Sequence, residues 1–280
     1  MKRMLLVFPH PDDESFATGG TIAKYAKNGW MIHLLCITRG QAGSSEHYQS
    51  SEKLGVLRSL ELEKAASILG ISHVQVYDFI DGKLKTVARG ELEDRIFKDM
   101  ARIVPDIVIT YEPGGISNHP DHIRLTNAVT YAFQKYAKSL VDLSRFEELK
   151  GIIIRDLNRL YRKSFEEVGE LGGDPRLYYA CMPKSVGEYL IKQKRFPSLS
   201  FDKPWSVIPD DKITTVIDIK KYTSKKIQAL GAHVTQKDDV SRFLADIPHN
   251  PLLSQEYYIL RMVGLTEVFM GKNDKVSNKL

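Results

Sequence analysis

Met4-Leu5-Leu6-Val7-Phe8-Pro9-His10-Pro11-Asp12-Asp13-Glu14 passes without a break from an apolar run into a cluster of imidazole and carboxylate. A short, uninterrupted apolar segment closed by proline reads as a strand buried on both faces, as inside a parallel sheet. Outward from it the same alternation repeats. Strands are expected at Met4–Phe8, Met31–Thr38, Val74–Asp78 and Ile107–Tyr111, with helices at Gly19–Asn28, Leu54–Leu69, Glu91–Val104 and Ile123–Ala137. The helices are read from apolar residues spaced as Leu62, Ala65, Ala66 and Leu69 are, along one helical face. Strand–helix alternation of this kind predicts an α/β fold, Rossmann-like, with a mostly parallel sheet flanked by helices.

From about residue 140 to 209 the periodicity breaks at Gly172-Gly173-Asp174-Pro175 and again at Pro183, Pro197, Pro204 and Pro209. This stretch reads as an irregular inserted or covering region. Regular structure is expected to resume with a strand at Thr215–Ile219 and a helix at Tyr222–Thr235. The expectation is therefore a single domain over residues 1–280, with its core in 1–139 and 210–270. The polar tail Gly271–Leu280 is expected to fray.

The 280 residues, 42% of them hydrophobic and 27% charged, suffice for one α/β domain with a true core. A net charge of +5, with its lysine pairs Lys220-Lys221 and Lys225-Lys226 placed as on a solvated helix face, argues against a nucleic-acid partner. Two cysteines, Cys36 and Cys181, are too few for a disulfide framework. Met4–Phe8 is too short for a signal-peptide core, and no segment has the length of a membrane span. A cytoplasmic protein is expected, with a small-molecule partner; a homo-oligomer is left open.

Two clusters carry the chemistry. Pro9-His10-Pro11-Asp12-Asp13-Glu14 follows the first strand, and Asn118-His119-Pro120-Asp121-His122 lies between the fourth strand and its helix. In open parallel sheets ligands collect beyond the carboxyl ends of the strands, so the two can meet there. Histidine and carboxylate without cysteine are the donors of a catalytic metal that keeps one position open. His119 and His122, three apart at a helix start, can face one way. His10, with Asp12 or Asp13, would complete the set. Taken singly, either motif is equally well a turn with an N-capping aspartate, and Asp121 could be only such a cap.

These motifs resemble the PIG-L/LmbE-like zinc deacetylases. Thr38-Arg39-Gly40-Gln41-Ala42-Gly43, Arg58 and Glu61, and Lys226, Ala229, Leu230, His233 and Gln236 extend the resemblance. It implies that His10, Asp13 and His122 bind Zn2+, that Asp12 is the general base, and that His119, best when protonated, stabilises an oxyanion. It also implies that Arg58 contacts substrate; on composition alone, Arg58 would be a helix-surface residue paired with Glu61. The activity implied is removal of an N-acetyl group from an N-acetylglucosamine-containing small molecule. An amidase for larger amino-sugar conjugates, a two-metal phosphoesterase and a non-catalytic sugar-binding protein are the alternatives. His33 and His73 read as packing or surface residues, and His47 as part of a mobile loop that could act as a lid. Tyr178, Tyr179 and Trp205 read as core aromatics or as a wall for a sugar ring.

Overall fold

In the computed structural model, which describes residues 1–43, 50–148, 173–245, 247–270 and 275–280, β1 (Arg3–Phe8) runs between β2 (Met31–Thr38) and β4 (Ile107–Tyr111) and parallel to both. β3 (His73–Phe79) extends the parallel sheet beyond β2, and β5 (Arg176–Cys181) extends it beyond β4. There the direction reverses. β9 (Gln255–Val263) is antiparallel to β5 and also pairs with β8 (Thr215–Asp218) and β10 (Thr266–Glu267). The strand order is β10-β9-β5-β4-β1-β2-β3, with β8 on β9.

Alternate residues of β1 feed opposite cores, which is why this strand is apolar throughout. Met4, Leu6 and Phe8 pack with Ile22 of α1 (Asp13–Lys27), Leu62 of α2 (Ser51–Leu69) and Ala229 of a later helix, Thr223–Ala232. Leu5 and Val7 point the other way, against Ile96 of α3 (Glu91–Ile103) and Phe133 of α5 (Pro120–Glu148). Between β4 and α5 lies the short α4 (Gly115–Asn118). α2 starts where Ser50 Oγ accepts the amide of Lys53 and stops at Gly70, whose φ of 84° closes the helix. The Rossmann-like architecture expected from the sequence is the one observed.

Three features differ from expectation. Arg176–Cys181 falls inside the stretch read as a covering region, yet it is an interior strand of the sheet. Two tyrosines in six residues and the breaker Gly172-Gly173-Asp174-Pro175 just before it hid its apolar character. β9 was not expected either, because its burial alternates and its polar residues interrupt any apolar run. The tail does not fray over 275–280. Ser277 exchanges backbone hydrogen bonds with Thr214 and Val216, and the buried Leu280 donates its amide to Tyr25 Oη at 2.7 Å.

Leu6 is fully buried at the centre of one core. Leu6→Ala is expected to destabilise the protein by about 2–5 kcal/mol, read as a lower urea midpoint at unchanged slope.

Candidate metal centre and cleft

The two motifs meet because β1 and β4 are neighbours that end at the same edge of the sheet. After β1 the chain turns through Asp12, at a φ of 116°, directly into α1, whose first residue is Asp13. After β4 it makes a tight reversal in which Glu112 accepts the amides of Gly114 and Ile116, both at 2.6 Å. Gly115 adopts a φ of 69°, and a Cβ there would stand 2.5 Å from that of His122, so the reversal requires glycine. Ile116 and Asn118 also hold positive φ, 58° and 59°. Strained backbone thus flanks both motifs, as it often does at functional sites.

His10 Nδ1 and His122 Nε2 are 3.3 Å apart. Asp13 reaches both: Oδ2 lies 3.4 Å from His10 Nδ1, and Oδ1 lies 3.5 Å from His122 Nε2. Donors bound about 2.0–2.2 Å from a tetrahedral ion are separated by about 3.3–3.6 Å, since a tetrahedron's edge is about 1.6 times its centre-to-vertex distance. The two imidazole nitrogens stand at the spacing of two such donors, and Asp13 presents one carboxylate oxygen to each of them. A ring nitrogen of His119 also falls within 4.8 Å of one on each of His10 and His122. His119 uses Nδ1 to accept the Asp121 amide at 3.1 Å.

The surroundings orient these donors. His122 Nδ1 contacts the carbonyl of Gly115 at 3.0 Å, which places the proton there and leaves Nε2 with a lone pair. Burial lowers the His122 pKa to about 4, so the ring is neutral, the form a metal requires. It stacks on Tyr111, ring centroids 4.5 Å apart, and Tyr111 Oη donates to Asp13 Oδ1 at 2.7 Å. Burial opposes ionisation of Asp13, but His122, His10 and this tyrosine outweigh it and hold the carboxyl below its usual range.

His10 turns its other nitrogen, Nε2, toward Asp81 Oδ1 at 3.0 Å and Asp121 Oδ2 at 3.5 Å, off hydrogen-bond alignment with either. Burial disfavours a charged ring, yet the carboxylates of Asp121, Asp13 and Asp81 raise its pKa well above the ordinary value. Asp121 also accepts the amides of Gly82 at 2.7 Å and Leu84 at 3.1 Å, so it fixes a neighbouring loop rather than capping its own helix. Asp81 belongs to neither motif; it follows β3 at the same sheet edge, and that position is its one signal in the sequence.

Asp12 lines the same cleft. Its Oδ2 accepts from Arg58 Nη2 at 3.1 Å, and its amide donates to Glu14 Oε2 at 3.0 Å. Burial pushes its pKa up to about 7 against the pull of Arg58. Arg58 is buried, not on the helix surface, and also donates to the carbonyls of Pro11 and Gly40. Glu61 takes the amide and hydroxyl of Thr235 instead. Fully buried Glu14 meets His233 Nε2 at 2.9 Å. With Nδ1 of His119 occupied as an acceptor, its proton sits on Nε2, and burial together with His10 lowers its pKa.

These groups open into a cleft of about 590 Å³, within the range of small-molecule sites. Trp205 lines it, whereas Tyr178 and Tyr179 are buried in the sheet. At its side, buried Lys226 pairs with Glu256 at 2.7 Å, and Glu256 also accepts the amides of Gly20 and Thr21, joining β9 to α1. His33 and His73 stack on each other at 4.7 Å on β2 and β3 and do not line the cleft. His47 lies outside the described residues. No helix among the described residues is long and apolar enough to cross a membrane.

Residues 5–133 match the family model for PIG-L, described as GlcNAc-PI de-N-acetylase. The 1D-myo-inositol 2-acetamido-2-deoxy-alpha-D-glucopyranoside deacetylase of Thermobifida fusca (strain YX) is 30% identical over 261 residues, which cover 84% of this chain and 83% of the relative. Among solved structures, N,N'-diacetylchitobiose deacetylase from Pyrococcus horikoshii is similar with a TM-score of 0.59 and 20% identity, over 94% of this chain and 85% of its own. The 4-carboxy-2-hydroxymuconate hydratase of Pseudomonas putida KT2440 is similar with a TM-score of 0.60, also at 20% identity, over 96% and 99%. Likeness at that identity bears on the fold alone, and the sequence relationship decides the family. With the T. fusca enzyme matched along most of both chains, this protein belongs to the PIG-L family.

Proposed function

We propose that the protein is a zinc-dependent hydrolase that removes the N-acetyl group from an N-acetylglucosamine-containing small molecule. The observation that carries this reading is the approach of His10 Nδ1 and His122 Nε2 to 3.3 Å, each with an Asp13 oxygen 3.4–3.5 Å away, in a cleft that Asp12 and His119 also line. The T. fusca relative is named for the same chemistry on an inositol glycoside. Strands from both sides of the irregular region share one sheet, which supports reading the chain as one catalytic domain.

His10, Asp13 and His122 would hold the ion. Zinc, when bound, polarises the amide carbonyl and lowers the pKa of a water from 15.7 toward about 7. Asp12 takes the proton of the attacking water and hands it to the departing nitrogen, which must leave as an amine. A carboxyl suited to both tasks needs a pKa near neutrality. Burial raises that of Asp12 to about 7 against the pull of the Arg58 guanidinium. Arg58 holds Oδ2 of this carboxylate and the Pro11 carbonyl beside it, and so keeps Asp12 in its strained conformation. His119 donates its Nε2 proton to the oxygen that becomes negative as the carbonyl is attacked.

An acetate-release screen over N-acetylglucosamine derivatives tests this reading. The zinc-loaded protein is expected to release acetate from at least one of them. Asp12→Asn is expected to lower kcat by about 10²–10⁴-fold while zinc content stays unchanged. Release of acetate from none of the compounds would overturn the assignment.

Metal analysis separates the deacetylase from a phosphoesterase. One zinc per chain is expected, lost on dialysis against a chelator and on His122→Ala, with activity returning to the chelated wild type when zinc is added back. Two tightly held ions per chain would favour the two-metal alternative.

A further inference from the structure

We propose that Glu14 and His233 form a buried positioning pair that fixes Asp12, the inferred general base, by its backbone. The inference rests on the deacetylase reading above and adds two residues to its machinery.

Asp12 stands at the N-terminal cap of α1, where an aspartate ordinarily turns its carboxylate back onto the first amides of the helix. It does not do so here. No side-chain cap bond forms, and Oδ2 accepts from Arg58 Nη2 at 3.1 Å instead, with Asp12 lining the cleft. The φ of 116° goes with this arrangement, and residues with a side chain rarely hold it. The peptide unit that enters such a conformation has to be fixed from outside. Glu14 Oε2 accepts the Asp12 amide at 3.0 Å, and Arg58 Nη2 donates at 2.6 Å to the Pro11 carbonyl of the same peptide unit. On its other side, the Asp12 carbonyl accepts the amides of Ser15 at 2.9 Å and Phe16 at 3.0 Å.

Glu14 is itself fully buried, and its second oxygen, Oε1, accepts from Ser15 Oγ at 2.5 Å and from His233 Nε2 at 2.9 Å. A carboxylate can only accept, so the imidazole proton facing it lies on Nε2. His233 is buried too, and it is the residue at which the helix Thr223–Ala232 ends. The start of α1 is thereby tied to a segment late in the chain. The other nitrogen of this ring, Nδ1, is buried and has no hydrogen-bond partner among the described residues. A buried polar atom left unsatisfied is unfavourable, and an apolar ring would fill the same space without it. The imidazole is therefore kept for what Nε2 does to Glu14. Neither Glu14 nor His233 lines the cleft, whereas Asp12 does, so the pair reaches substrate only through Asp12.

Amide hydrogen exchange followed by NMR tests the proposal without zinc or substrate. In the wild type the Asp12 amide is expected to be protected, and the Nε2 proton of His233 to give a resolved signal. His233→Phe fills the space of the ring without a donor, and His233→Ala leaves a cavity that added imidazole can occupy. In both variants the Asp12 amide is expected to exchange about 10-fold or more faster, with the amides in the middle of α1 unchanged. Imidazole is expected to restore protection to His233→Ala alone. In the zinc-loaded protein the same variants are expected to lower kcat by about 10–100-fold at unchanged KM and zinc content. That loss is expected to vanish against an Asp12→Asn background, as it must if the pair acts through Asp12. A freely exchanging Asp12 amide in the wild type, unchanged exchange in His233→Phe, a loss of zinc, or an equal fall in kcat beside Asp12→Asn would each overturn the proposal. The wild-type signals decide it should neither variant fold. The exchange arm is independent of the acetate screen on which the deacetylase reading stands or falls.

Discussion

β1 and β4 are hydrogen-bonded neighbours running in the same direction, with Leu5 opposite Val108 and Leu6 opposite Ile109. From that register the chain leaves both strands at one edge, carrying His10 to Asp13 on one side and His119 to His122 on the other. A slip of one residue would displace one motif by about 3.3 Å along the strand. That is as large as the 3.3–3.5 Å separating the donor atoms themselves. It would also turn Met4, Leu6 and Phe8 toward the core that receives Leu5 and Val7. Packing on both faces of the sheet and the meeting of the two motifs are therefore enforced by the same pairing.

Around that centre the protein accumulates features that are individually unfavourable: buried carboxylates, buried imidazoles and three non-glycine residues with positive φ. The buried carboxylates are offset by specific partners. Tyr111 and the His10 amide hold Asp13, the loop amides of Gly82 and Leu84 hold Asp121, and Arg58 holds Asp12. The arrangement of protons follows from these contacts. His122 gives its Nδ1 proton to a carbonyl and keeps Nε2 free, whereas His119 receives an amide at Nδ1 and keeps its proton on Nε2. Two histidines three residues apart thus hold opposite hydrogen-bond arrangements at Nδ1, the contrast on which the proposed roles rest.

Much of this is legible in the order of the amino acids. The uninterrupted apolar run of β1 and the helical spacing of Leu62, Ala65, Ala66 and Leu69 are strong local signals, and a parallel sheet then brings the two motifs to a common edge. What the sequence did not disclose depends on long-range packing. Asp81 is one aspartate in a loop until β3 is seated beside β2. Arg58 reads as a surface residue until the loop around Gly40 closes over it, so closely that a Cβ on Gly40 would meet the guanidinium. β5 hides its burial behind tyrosines, and β9 has no continuous apolar run. The hairpin of β6 (Leu199–Ser200) and β7 (Lys203–Pro204) turns at Phe201 and Asp202, without the Asn-Gly signal by which such turns are recognised.

The central claim is that His10, Asp13 and His122 share one ion. X-ray absorption at the zinc edge tests it directly. The account predicts a shell of nitrogen and oxygen donors at about 2.0–2.2 Å, with no sulfur near about 2.3 Å. It also predicts two imidazoles in the outer-shell scattering, and Asp81→Ala, which removes a neighbour of His10 but no donor, should leave that shell intact. A sulfur shell, or a fit that requires no histidine, would contradict it.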